Sequence, residues 1–141
     1  MGLLLAAGSV SFCAAQSKEE NVKEFLICLK ANKEQKIYDI SYHVKRTTYI
    51  TDNELRKRYV AVASEALNKY LISPQRKWDS LTFPDQSRKL FIPLIAGKDS
   101  TERAIVVLSF PPATISDKVY DFEIFNNNGT GGQLTAPRRV H

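Results

Sequence analysis

The chain changes its hydrophobic period at Ser73-Pro74, and this change limits the folds open to it more than any other feature. Before that point, from Val22 to Leu29 and from Leu55 to Tyr70, apolar residues recur at every third or fourth position. After it they alternate with polar ones, or run on without a break between turn-forming clusters. The first spacing is that of a helix with one buried stripe, the second that of strands with a buried face. Helices followed by strands predict an α+β domain, with N-terminal helices packed on an antiparallel sheet of about four to five strands.

In the first half, Ser17 and Glu20 form a capping box, in which each side chain satisfies an exposed backbone N–H at a helix start. Val22, Phe25, Leu26 and Leu29 then line one face, leaving Lys18, Glu19, Lys23, Glu24 and Lys30 for solvent. Ala31-Asn32-Lys33 ends or bends this helix, and Gln35 to Ser41 makes a short second one presenting Ile37, Tyr38 and Ile40. Tyr42 to Ile50 is rich in β-branched and aromatic residues and reads as a half-exposed strand. Thr51 with Glu54 repeats the capping box, and Leu55, Tyr59, Val62, Ala63, Ala66, Leu67 and Tyr70 trace an apolar stripe. Ser73-Pro74 should end this helix, because proline disfavours helical geometry in the residue before it.

In the second half, Lys77 to Phe83, Arg88 to Ile95, Glu102 to Phe110 and Lys118 to Phe125 are predicted strands. Short turn-rich connections join them and favour antiparallel neighbours. Ala104 to Leu108 is continuously apolar and should be central, whereas Pro93 predicts an edge or a bulge in its own strand. Tyr120, Phe122 and Ile124 should face the core, with Asp121 and Glu123 facing water.

The ends differ from this middle. Residues 1–16 carry no charge, and the apolar block from Leu3 to Phe12 stops at a small-residue patch before the polar SKEEN. That pattern reads as a signal peptide, and its apolar stretch is well short of the roughly 20 residues that cross a bilayer. The expectation is an exported bacterial product, periplasmic or extracellular, cleaved after Ala15 or Gln16 and without a transmembrane anchor. A lipoprotein fits less well, because Phe12 stands where a small residue should precede Cys13. Residues 17–125 then form one domain, and 126–141, with three asparagines and three glycines, a flexible C-terminal tail. Hydrophobic types at 43% and charged types at 25% exclude disorder throughout.

Chemistry-bearing patterns are sparse. Removal of the signal peptide leaves Cys28 alone, so no intramolecular disulfide forms, and its apolar surroundings predict a buried, inert thiol. One cysteine and two histidines without paired spacing offer no metal site, and no cofactor motif is present. Asn126 to Gly132 lacks the following helix that a phosphate loop needs, and the acceptor pattern at Asn128-Gly129-Thr130 is idle in a bacterial product. Asp39, Tyr42 and His43 are the candidate acid–base group, although no nucleophile accompanies them. Trp78 beside Arg76 and Lys77 is the candidate ligand-binding group, an aromatic flanked by cations. The net charge of +5 is spread over short basic groups, Arg56-Lys57-Arg58 and Arg88-Lys89 among them, interspersed with acids; this gives no strong nucleic-acid signal.

Phe25-Leu26, Leu29-Lys30, Ile40-Ser41-Tyr42 and Arg58-Tyr59 carry a resemblance to small exported domains of the nuclear-transport-factor-like, or cystatin-like, group. The resemblance covers about a third of the chain, and His43 departs from it by standing where proline is expected after the tyrosine. It implies a curved sheet wrapped against helices around a cone-shaped pocket. That scaffold hosts several functions. The expected function is thus a non-enzymatic binding or protein-interaction domain for an unknown protein or small-molecule ligand, with a homodimer as one form. The alternatives are a pocket enzyme of hydratase or isomerase type using Asp39, Tyr42 or His43, and a basic module for anionic glycan or nucleic acid.

Overall fold

A computed structural model describes residues 18–42 and 53–126. The expected signal peptide, both capping boxes, all but the first residue of the strand proposed for Tyr42 to Ile50, His43 among them, and the tail from residue 127 lie outside the described residues or the described side chains. Within them the fold is α+β, with three helices leading into an open antiparallel sheet of five strands. The helices are α1 (Lys18–Lys30), α2 (Glu34–Ile40) and α3 (Asn53–Lys69). The strands are β1 (Leu71–Ile72), β2 (Asp79–Thr82), β3 (Arg88–Ile95), β4 (Glu102–Phe110) and β5 (Asp121–Asn126).

The helical stripes bury as their spacing requires. Val22, Phe25, Leu26 and Leu29 of α1 meet Ile37 of α2 and Tyr59, Val60, Ala63 and Leu67 of α3 over one face of the sheet. That face consists of Leu90, Ile92 and Leu94 on β3, Val106, Leu108 and Phe110 on β4, and Phe122 and Ile124 on β5. Phe122 is the hinge pin of this layer: its ring meets Phe25 edge-on at 5.8 Å and Tyr59 at 6.3 Å.

Helix ends are closed by specific bonds. Asn32 adopts a left-handed φ of 57° after α1, and the amides of Asn32 and Lys33 donate back to the carbonyls of Leu29 and Cys28. This is a Schellman motif with asparagine in glycine's usual place. The Lys30 carbonyl, left over by the helix, accepts from Ser64 Oγ and Asn68 Nδ2 on α3, both at 2.9 Å.

The second half departs from expectation at several points. α3 stops at Lys69, ahead of Ser73-Pro74, because Leu71 and Ile72 pair with Ile95 and Leu94 and join the sheet as β1. Pro93 lies in an interior strand, since β3 has β4 on one side and both β1 and β2 on the other. A register shift does occur beside it, between Leu94 and Ile95. The last predicted strand begins at Asp121 and reaches Asn126, the first residue of the expected tail. Asp121 is 1% exposed, opposite the equally buried Ser109, so it does not face water. Of the strand proposed from Tyr42, only Tyr42 is described, and its N–H donates to the Val119 carbonyl at 2.8 Å.

Pro93 also shapes the edge. Continuing the β1 register sets Ser73 opposite Pro93, and the Ser73 amide donates to the Pro93 carbonyl at 2.9 Å. Proline has no N–H to return. The edge chain then leaves the sheet: residues 74–78 loop out opposite the single residue Ile92, with a 3₁₀ turn at Gln75–Lys77, before Asp79 pairs with Phe91. Trp78 is the last residue of that excursion.

Candidate functional site: a groove walled by Trp78

Between the start of α1 and the β2–β3 edge lies a groove of about 510 Å³. Lys18, Glu19 and Val22 form its helical side, and Gln75, Trp78, Ser80 and Leu90 its sheet side. Its size falls within the usual range for small-molecule sites. Two other grooves lie elsewhere: about 550 Å³ on the surface of α1 beside Lys36, and about 220 Å³ between α3 and Asn126. The former is flanked mainly by solvated Glu and Lys side chains, whereas the groove at Trp78 has an aromatic wall and an apolar floor.

The edge excursion places that wall. Trp78 is half-buried and packed on the core, and its indole Nε1–H donates to the Ser73 carbonyl at 2.8 Å. The indole supplies the donor that Pro93 lacks. Its polar tip is engaged, and its ring remains to face the groove beside Val22 and Leu90, both buried.

The cationic end has a different origin. Lys18, expected to face solvent, is half-buried, its ammonium 5.3 Å from the centre of the fully buried Phe110 ring. The Arg88 guanidinium lies 5.4 Å from the same ring. Both distances suit cation–π contact. Burial, and then the repulsion of Arg88, lower the Lys18 pKa, against a smaller opposing pull from Asp117.

Arg88 itself is committed to structure. It donates to the Pro111 carbonyl through Nη2 (2.8 Å) and Nε (3.3 Å), to the Ser116 carbonyl (3.1 Å) and to Asp117 (3.2 Å). Asn21 on α1 adds a bond to the Asp117 carbonyl at 3.0 Å, so the β4–β5 connection is clasped from helix and sheet together. Lys89, on the far face, pairs with Glu123 at 3.7 Å. The Arg88-Lys89 group is thus engaged inside the fold, whereas Lys57 and Arg58 are exposed.

The sequence candidates separate accordingly. Trp78 lines the groove, while Arg76 and Lys77 are exposed on the 3₁₀ turn and do not. Asp39 is exposed and accepts from Gln35 Nε2 at 3.0 Å. Tyr42 is half-buried, and neither it nor Asp39 lines any of the three grooves. Among the described residues no group of three or more His, Cys, Asp and Glu side chains is arranged to hold a metal, and no helix is long and apolar enough to cross a membrane. Sequence reasoning missed Lys18, Ser80 and Leu90. Ser80 and Leu90 follow from strand register, but nothing local marks Lys18, whose position depends on how α1 meets the end of β4. Comparison with known proteins yields no match among family models, curated proteins or solved structures.

Proposed function

We propose that this protein is an exported, non-enzymatic binding domain that takes a small ligand into the groove walled by Trp78. The observation that carries the reading is the convergence there of a free aromatic face, a buried apolar floor and a half-buried cation. Sites for small ligands combine mostly apolar walls with a few placed polar groups in this way. The resemblance to the nuclear-transport-factor-like group supports it too, since a pocket between helices and sheet is what that scaffold implies. Export rests on the uncharged apolar start of the chain and its abrupt change to SKEEN.

Two experiments test the two halves. Mass spectrometry of the secreted product should find Gln16 or Ser17 at the N-terminus, and intact Met1 in that fraction would contradict export. Trp78 is the sole tryptophan, so its emission reports on the groove directly. A small-molecule library screened by that emission should give binders that are lost in Ser80→Phe, which fills the groove from an exposed strand position. Binders indifferent to Ser80→Phe would place the site elsewhere.

A further inference from the structure

We infer that the ligand is a small amphipathic carboxylate, seated with its acid at Lys18 and its apolar body against Trp78; this rests on the reading of the groove as a binding site. Lys18, Arg88 and Lys89 differ in what neutralises them. Arg88 is held by Asp117 and two carbonyl groups, and Lys89 by Glu123. Lys18 has the Phe110 ring and the pull of Asp117 from beyond ion-pair distance, with no carboxylate in ion-pair range among the described residues. A half-buried ammonium over an aromatic face gains from an anion more than a fully hydrated one does, because part of its hydration is already lost.

The rest of the lining selects the remainder of the ligand. The Trp78 N–H is occupied by Ser73, so the indole offers its ring and not a hydrogen bond. Val22 and Leu90 continue that apolar surface, and Gln75 and Ser80 add neutral polar groups. Among the described residues that line the groove Lys18 is the one cation, which suits the single charge of a carboxylate. Glu19, exposed at the rim, is the group that would favour a cation instead.

The test titrates the protein with octanoate, octanol and octylamine, reading Trp78 emission with calorimetry as a check. Octanoate should bind about fivefold more tightly than octanol, the scale of one partly exposed ion pair. Lys18→Met should remove that preference by weakening octanoate more than octanol until the two bind alike, and Glu19→Gln should leave octanoate binding equal or tighter. Should Lys18→Met fail to fold, salt replaces it: the preference for octanoate should shrink as salt rises, and octanol binding should not. Equal binding of octanoate and octanol, or a preference for octylamine, overturns the carboxylate assignment but keeps the groove as a site. Binding of none of the three, alongside a library screen that finds other ligands lost in Ser80→Phe, also overturns the assignment alone; a screen without such ligands overturns the binding reading with it.

Discussion

The indole N–H of Trp78 donates to the carbonyl of Ser73, the residue whose ladder partner, Pro93, has no N–H to give. A side chain five positions on thereby completes a backbone ladder and allows the edge chain to leave the sheet and return. Trp78→Phe retains most of the ring but removes the donor. It should cost about 1–3 kcal/mol, the usual penalty for a buried carbonyl left unpaired, read as a lower urea midpoint. Pro93→Val should reduce that loss in the double variant, since valine restores the ladder donor. Equal losses in both backgrounds would show that the bond does not replace the proline N–H.

Asn32 holds a left-handed backbone at the end of α1, where most side chains are strained. Asn32→Ala should destabilise by about 1 kcal/mol, whereas Asn32→Gly should be neutral or stabilising. Thermal melts of the two variants decide this, and an alanine variant as stable as glycine would contradict it.

Arg88 joins β3 to two carbonyls and a carboxylate of the β4–β5 connection. Arg88→Met should cost about 2–3 kcal/mol and speed amide exchange and proteolysis between Pro111 and Tyr120. Arg88→Lys should recover little, because an ammonium cannot serve the three acceptors in the geometry of the guanidinium fork. Full rescue by lysine would show that charge alone matters.

Asp85 and Asp99 sit in the two hairpin connections, each accepting from the residue two positions on. The Ser87 hydroxyl and amide lower the Asp85 pKa from its ordinary 3.8, and the Thr101 amide does the same for Asp99. Carboxyls with lowered folded pKa values contribute stability that is present above the unfolded value and is lost as pH falls through the folded one. Between pH ~4 and pH ~2 the native protein should therefore lose more stability than the Asp85→Asn, Asp99→Asn double variant, which keeps the acceptors without the charge. Parallel acid limbs in urea titrations would contradict the assignment.

Cys28 is buried on α1, and burial followed by repulsion from Glu24 raises its thiol pKa. Reaction with a disulfide reagent at neutral pH should be slow in the folded protein and fast in denaturant. Fast labelling of the native state would mean that α1 opens readily.

Much of this architecture is legible in the residues because local and global preferences agree. The stripe of Tyr59, Ala63, Ala66 and Leu67 buries, with Val60 taking the fully buried place expected of the half-buried Val62, and the run from Ala104 to Leu108 lies in an interior strand. Legibility fails where a distant partner decides. Leu71 and Ile72 look like the last turn of a helix until Ile95 and Leu94 offer a ladder. Asp121 alternates like a solvent-facing residue, yet lies buried opposite the equally buried Ser109. At the groove, Trp78 was visible as an unusual residue among cations, but the cation that shares the groove is Lys18, sixty positions earlier in the chain.

The placement of the ligand is tested most directly by the backbone and indole ¹H–¹⁵N spectrum during titration with octanoate. The single indole resonance of Trp78 should move together with the amides of Lys18, Val22, Ser80 and Leu90, while those of Ile37 and Asp39 stay in place. Shifts centred on α2, or on the far face of the sheet at Phe91 and Val107 with the indole unmoved, would contradict that placement.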